Sequence, residues 1–185
     1  MEPRVKGYMI QMTGKFILDE LASKVPADIL RDARQAQQMI KPTELRPRGE
    51  VVRLWHAIAN AYPDEATAYA ALVRTGMLIM GQATSTFLKL LLKMLTLRMF
   101  AAKFPDIWAR DNPDGGYSKV ELLGDKKLII RIHEVDGYDH LAPVGVGWAT
   151  FALTAIGQQD VQAKAIGWSM EKPGGPIAHV EATWR

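Results

Sequence analysis

Few side chains in this sequence have chemistry to offer, and they are scattered. The four histidines, His56, His133, His140 and His179, are far apart in the chain, and no pair of them stands at metal-ligand spacing. His133 and His179 fall on segments that alternate like strands, with Glu134 and Glu181 beside them. That pattern reads as the solvated face of a sheet. His56 follows Trp55 in an amphipathic helical stretch, and a neutral imidazole on a helix is chemically able to hold haem iron. A single histidine in such a setting reads first as a structural residue. The acidic pairs Asp19-Glu20 and Asp64-Glu65 are adjacent, and neighbouring positions on a helix do not face each other, so neither makes an acid/base couple. The chain has no cysteine, which excludes disulfides, thiolate zinc sites, iron–sulfur clusters and thiol nucleophiles. No GxSxG, P-loop or GxGxxG motif occurs, and Gly145-Val146-Gly147 is too short to cradle a phosphate. The acids and glycines of DNPDGG, residues 111–116, lack the spacing and final glutamate of a calcium loop. No catalytic residue and no metal ligand is assigned, and the chain reads as a non-enzyme.

The most apolar stretch is MLIMGQATSTFLKLLLKMLTLRMFAAKF, residues 77–104. Its polar residues Gln82, Ser85, Lys89, Lys93, Thr96 and Lys103 recur at intervals of three or four, with one gap at Phe100, which gives a helix with one narrow polar stripe. A bilayer span would not tolerate this, because each Lys or Arg near its centre costs about 2.5–3.5 kcal/mol. The segment is therefore expected to be a long helix buried on most of its circumference. Close core packing accounts for it, and its methionines also suit an adaptable pocket wall, because their side chains are flexible and polarizable.

These residues need a scaffold, and 185 of them suffice for one domain with a real core. An apolar fraction of 48% with 23% charged residues is that of a globular protein. The formal charge of +3 divides into +6 over residues 1–110 and −3 over residues 111–185. The bases are dispersed, and the densest spot, Arg46, Arg48 and Arg53, lacks interleaved aromatics for base stacking, so no nucleic-acid partner is expected. The N-terminus does not read as a signal peptide, and the lack of cysteine makes the cytoplasm the expected compartment.

Apolar spacing predicts helices over 6–24, over 27–39 after Pro26, and over 51–61, where Val52, Trp55, Ile58 and Ala59 share a face. Another opens at Pro63, Asp64 and Glu65 and breaks near Gly76, before the long one. Turn formers cluster over 104–116. Beyond them the period changes to two. Residues 117–123 and 127–135 form a hairpin about Gly124-Asp125, with Val120, Leu122, Leu128, Ile130 and Ile132 inward. A helix over 144–157 ends at Gly157, and residues 160–170 and 176–184 form a second hairpin with Ala178, Val180, Ala182 and Trp184 on one face. The expectation is one α+β domain over 1–185: an N-terminal helical bundle, residues 1–110, whose long buried helix packs on an antiparallel sheet of two hairpins joined by a helix, the ββαββ part of residues 111–185.

The last quarter, GVGWATFALTAIGQQDVQAKAIGWSMEKPGGPIAHVEATWR, resembles the C-terminal signature of the 4-vinyl reductase (V4R) domain superfamily and its haem-nitric-oxide-binding relatives. It is most similar to an uncharacterised paralogous family abundant in myxobacteria. The matching features are Gly147-Trp148 opening a helix, Gly157 ending it, Val161 beginning a strand, the Gly174-Gly175 turn and a closing strand at Trp184. The resemblance implies a homodimeric domain that senses or carries a small hydrophobic molecule in a pocket between helices and sheet. Met77, Met80, Phe87, Leu91, Trp148 and Phe151 are then the expected lining. Where many V4R domains carry zinc-binding cysteines, this chain has Met170 and Ala178, and no histidine stands on the long helix where a haem-binding relative supplies its iron ligand. No cofactor is expected. The alternative is an adaptor with a solid core, acting through a dimer or protein-partner surface.

Overall fold

A computed structural model describes residues 2–83 and 96–185. Helix α1 (Gly7–Glu20), α2 (Ala27–Met39), α3 (Arg48–Asn60) and α4 (Glu65–Ala83) come first, followed by α5 (Leu97–Asp111). The chain then forms β3 (Tyr117–Leu122), β4 (Lys127–His133), α6 (Leu141–Ala155), β5 (Gln162–Ala165) and β6 (Ile177–Thr183). Two short strands that periodicity did not reveal, β1 (Arg4–Lys6) and β2 (Leu45–Pro47), pair antiparallel and tie the N-terminus to the start of α3. Among the described residues no helix is long and apolar enough to cross a membrane.

The large sheet is antiparallel in the order β3-β4-β6-β5, so the two hairpins join through their inner strands. In its register Ile130 stands between Val120 and Val180, and Leu128 between Leu122 and Ala182. Leu128, Ile130, Ile132, Val180 and Ala182 are buried on the face that receives α6, as alternation requires. Ile129 is also buried, on the other face, between Glu121 and Glu181 on the neighbouring strands.

Three expectations about the apolar middle of the chain need correction. Gly76 does not break a helix: α4 runs through it, because Asp64 starts the helix by accepting from the Thr67 amide at 2.8 Å and nothing later in the segment opposes it. Residues 77–104 are not one rod. Residues 77–83 end α4, while Thr96 starts α5, its hydroxyl accepting from the Met99 amide at 3.2 Å; residues 84–95 lie outside the described residues. Residues 104–111 are helical in spite of Pro105, because burial of Phe104 and Trp108 on one face sustains α5 to Asp111. The turn is confined to the residues that follow, with positive φ at Asp114 and Gly116.

The layering changes accordingly. It is α6 that lies on the sheet, against β5 and β6; α4 packs on α6, and α5 packs against β3. The approach of α4 to α6 is set by two glycines. A Cβ at Gly76 would collide with the Val144 carbonyl, and one at Gly147 with the Val73 carbonyl and the Met77 amide. Because those neighbours are backbone atoms, a side chain at either position must push two helices apart. Gly147→Ala is expected to lower the unfolding free energy by about 2–3 kcal/mol in urea titrations. Gly145→Ala, whose Cβ would meet the Val180 Cγ2 methyl at 3.3 Å, is expected to be near neutral, since a helix-propensity gain of about 1 kcal/mol offsets the tight contact.

Candidate functional site

The loop that feeds α6 brings together chemistry from distant parts of the chain. Val135 to His140 bridge β4 and α6, and His140 immediately precedes the helix in the left-handed region, with φ 63° and ψ 6°. A histidine there is uncommon and must be held in place. Its amide donates to the Pro173 carbonyl at 2.6 Å, which docks the β5–β6 turn on the loop. The same turn presses Gly174 onto Asp139, where a Cβ would strike the carboxylate. The KPGG sequence is therefore more than a turn signal, since a side chain at position 174 would have to displace the Asp139 carboxylate.

From this loop a polar chain reaches α3. The Asp139 carboxylate lies 3.0 Å from His56 Nε2, and His56 Nδ1 lies 3.1 Å from His140 Nε2. An ionised carboxylate only accepts, so His56 donates to it through Nε2 and turns its Nδ1 to His140. His140 meets that ring through Nε2 and has Nδ1 as its other ring nitrogen. That Nδ1 is buried and has no partner. Burial is the main cause that lowers the His140 pKa from 6.5 to about 4; charge on His56, when that ring is protonated, adds to it, against a smaller opposing influence of Asp139. His140 is thus neutral at pH 7.

Around this chain lies a run of rings. Trp55 stacks on Tyr138 with centroids 5.3 Å apart, Tyr138 meets Trp108 at 6.2 Å, and Trp108 meets Trp148 at 6.0 Å. These rings link α3, the loop, α5 and α6. Tyr138 is buried, so desolvation raises its pKa well above the usual phenol range, and its hydroxyl donates to Asn112 Oδ1 at 3.0 Å. The Arg48 guanidinium lies 4.9 Å from the Tyr138 ring centre and donates to the Asp136 carbonyl at 2.7 Å. Tyr8 likewise donates to buried Asp111 at 3.1 Å, which joins α1 to α5.

The residues expected to line a pocket are placed as follows. Trp148 is buried against Trp108, and its Nε1 has no hydrogen-bond partner. Phe151 is half-buried beside Gly81, Met80 is half-buried, and Met77 is 38% exposed. Helices α4 and α6 pack on each other, with Phe151 beside Gly81 and the Met77 amide beside Gly147, while Trp148 meets Trp108 of α5. Phe87 and Leu91 lie outside the described residues. A separate groove of about 510 Å³ opens between α1, α2 and α3, with Ile10, Ala36 and Leu54 in its lining and the paired Arg46–Glu50 and Arg53–Asp32 at 2.7 and 2.5 Å. Sequence reasoning missed both this groove and the Asp139–His56–His140 chain. Each depends on contacts between distant segments, and the one local clue to the chain was Asp139-His140 directly before an apolar helix.

Comparison with known proteins fixes the class of fold. No protein-family model and no curated protein sequence matches the chain. Solved structures do. An H-NOX protein from S. oneidensis aligns over 97% of this chain and 96% of its own at 12% identity, with a TM-score of 0.65. A Cs H-NOX variant aligns over 97% and 96% at 11% identity and 0.66, and a Tt H-NOX variant over 97% and 95% at 10% and 0.62. The chain has the H-NOX fold over nearly its full length.

Two of the matching structures are described by their heme, and the residues of this chain can be set against that group. An imidazole ligand would have to come from the four histidines. His56 and His140 hydrogen-bond each other, His133 stacks on Tyr117 at 4.8 Å, and His179 pairs across the sheet with Arg131. Helix α5 carries none, and residues 84–95 contain no histidine, cysteine or tyrosine. These residues do not fit a histidine-held heme. Among the described residues there is also no group of three metal-ligating side chains.

The His140 environment has a consequence for stability. The unfolded chain binds a proton at an ordinary histidine near pH 6.5, while the folded chain resists doing so until about pH 4. Between those values the unfolded state holds more protons, so stability is full above about pH 6.5 and falls as the pH drops to 4. The loss is expected to be roughly 3 kcal/mol. His179, whose pKa burial also lowers, adds a smaller slope of the same sign. In His140→Asn, which tolerates the left-handed conformation, urea unfolding measured from pH 4 to 7 is expected to lose most of this dependence.

Proposed function

We propose that this chain is a non-enzymatic sensory domain that binds a small hydrophobic molecule at the α4–α6 boundary. Met77, Met80, Trp148 and Phe151 form the described part of the site, and Phe87 and Leu91 complete it. The observation that carries this reading is the Trp148 indole, 8% exposed, whose Nε1 is buried without an acceptor. A buried donor left unpaired costs about 1–3 kcal/mol, and a ligand carbonyl or carboxylate on an apolar body would relieve it. The H-NOX fold supports a ligand-binding role, and kinship with the V4R superfamily and its myxobacterial paralogues belongs to the same reading. The ligand is organic rather than heme, because neither α4 nor α6 carries a histidine.

A second reading, an adaptor acting as a homodimer or with a protein partner, draws support from the outer face of the sheet. Tyr117 and Ile177 flank His133 in one cross-strand row and are 44% and 48% exposed, with Ile166 at 39% on the segment after β5. Such a cluster is what a partner surface would cover.

Native mass spectrometry of the purified protein is expected to find a bound mass above that of the chain, and incubation with hemin is expected to give no Soret band of a histidine-ligated heme. Trp148→Phe is expected to weaken the bound species about fivefold, as for one hydrogen bond of about 1 kcal/mol. A bare chain with no thermal shift against lipophilic compounds would overturn the ligand reading. If gel filtration then shows a dimer that Ile177→Asp converts to a monomer, the adaptor reading stands in its place.

A further inference from the structure

We propose that the free edge of β3 is a docking surface for the β3 strand of a second copy of this chain. The two strands run antiparallel about Val120 and join two four-stranded sheets into one. The surface is the edge of the sheet rather than its outer face, and it depends on neither reading of function given above.

The strand order leaves β3 and β5 at the edges. The β5 edge is closed: the strand has four residues, and the Ala165 amide, which points away from β6, donates to the Tyr69 hydroxyl at 2.9 Å. The β3 edge is open. The Leu123 amide donates to the Lys127 carbonyl at 2.9 Å, in step with the register that pairs Tyr117 with His133. The odd-numbered residues of β3 therefore turn their main-chain groups to β4. Ser118, Val120 and Leu122 turn theirs outward, and no hydrogen-bond partner meets them among the described residues. Val120 and Leu122 point to the core side yet stay half-buried, because the sheet stops at β3. The strand is six residues long in unbroken register, and it lacks the proline and the bulge that commonly blunt an exposed edge.

Charge selects both the occupant and the register. With Val120 facing the partner's Val120, Lys119 faces the partner's Glu121 on each side of the two-fold axis. A shift one way sets Lys119 against the partner's Lys119, and a shift the other way sets Glu121 against the partner's Glu121. Opposite charges directly across a strand pair stabilise it, and like charges do the reverse. Lys119 is exposed and has no carboxylate partner among the described residues, its ammonium lying 5.5 Å from the centre of the Tyr117 ring. Glu121 is 51% exposed and accepts from Arg131 at 2.8 Å through Oε1 alone. The same register lays Tyr117, 44% exposed, across from the partner's Leu123, 47% exposed, so these apolar groups cover each other. A strand from another protein would find the same main-chain groups, but YSKVELL fits its own reverse in charge and in apolar residues. Such a pair uses up the open edge of each copy, and with β5 closed the assembly ends at the dimer.

The test is gel filtration of the full chain with light scattering, and analytical ultracentrifugation to obtain the dissociation constant. The parent chain is expected to run as a dimer. Lys119→Glu and Glu121→Lys each set like charges across the axis, and each is expected to weaken the dimer about tenfold. An equimolar mixture of the two variants is expected to pair as tightly as the parent, because opposite charges then face each other again. Val120→Pro removes an outward N–H and no bond to β4, and it is expected to give a monomer with an unchanged circular dichroism spectrum. Should that variant fail to fold, the mixture decides. A parent chain that stays monomeric at millimolar concentration, a dimer indifferent to these substitutions, or a mixture no tighter than its components overturns the proposal. A dimer lost only with Ile177→Asp belongs to the outer face and overturns it too.

Discussion

The arrangement rests on the contact between two helix backbones. At Gly76 and Gly147 the helices α4 and α6 touch through main-chain atoms, with no side chain between them. Because α6 is seated on β5 and β6 and α4 is packed against α1 and α3, this crossing couples the helical half to the sheet half. A protein interior is close-packed, so a shift there cannot be absorbed locally. It must pass into the sheet or into the helices. A side chain added at either glycine would therefore move one half relative to the other.

The second junction between the halves is polar and works by a different constraint. His140 is held in a left-handed backbone, hydrogen-bonded to the β5–β6 turn through its amide and to α3 through its ring. Helix, loop and hairpin turn are thereby tied at one residue. The aromatic run from Trp55 to Trp148 lies alongside and fills the layer between them. Large rings bury much area with few rotatable bonds, so this layer is well suited to hold helices and sheet at a fixed separation.

How far the sequence foretold this depends on whether each signal was local. The strands were readable because alternation directly records which face is buried: Leu128, Ile130 and Ile132 are inward as their spacing requires. Helices α1, α2, α3 and α6 declared themselves through apolar faces. Gly76 misled because a glycine that ends a helix and one that admits a neighbouring helix look alike in one dimension, and only the partner at Val144 distinguishes them. Pro105 misled in a similar way, since its cost is visible in sequence while the burial of Phe104 and Trp108 that outweighs it is not. The Asp139–His56–His140 chain joins residues 83 and 84 positions apart, and no periodicity records such a pairing.

The match to H-NOX structures at 10–12% identity over nearly the whole chain separates the fold from its chemistry. The architecture asks for apolar faces at the right period, small residues where α4 crosses α6, and turn residues at the hairpins. None of those requirements specifies an iron ligand. This chain meets them while committing two of its histidines to a polar chain and leaving the other two on the outer side of the sheet. Function then has to be sought where the packing leaves a polar atom unmatched, because a buried group without a partner is costly and marks a place that a bound molecule can complete. Among the described residues such atoms lie on Trp148, beside Trp108, on His140 and Trp168 near the β5–β6 turn, and on Ser118, His133 and His179 of the sheet, so an unmatched atom narrows the search to several places and the surrounding packing must choose between them.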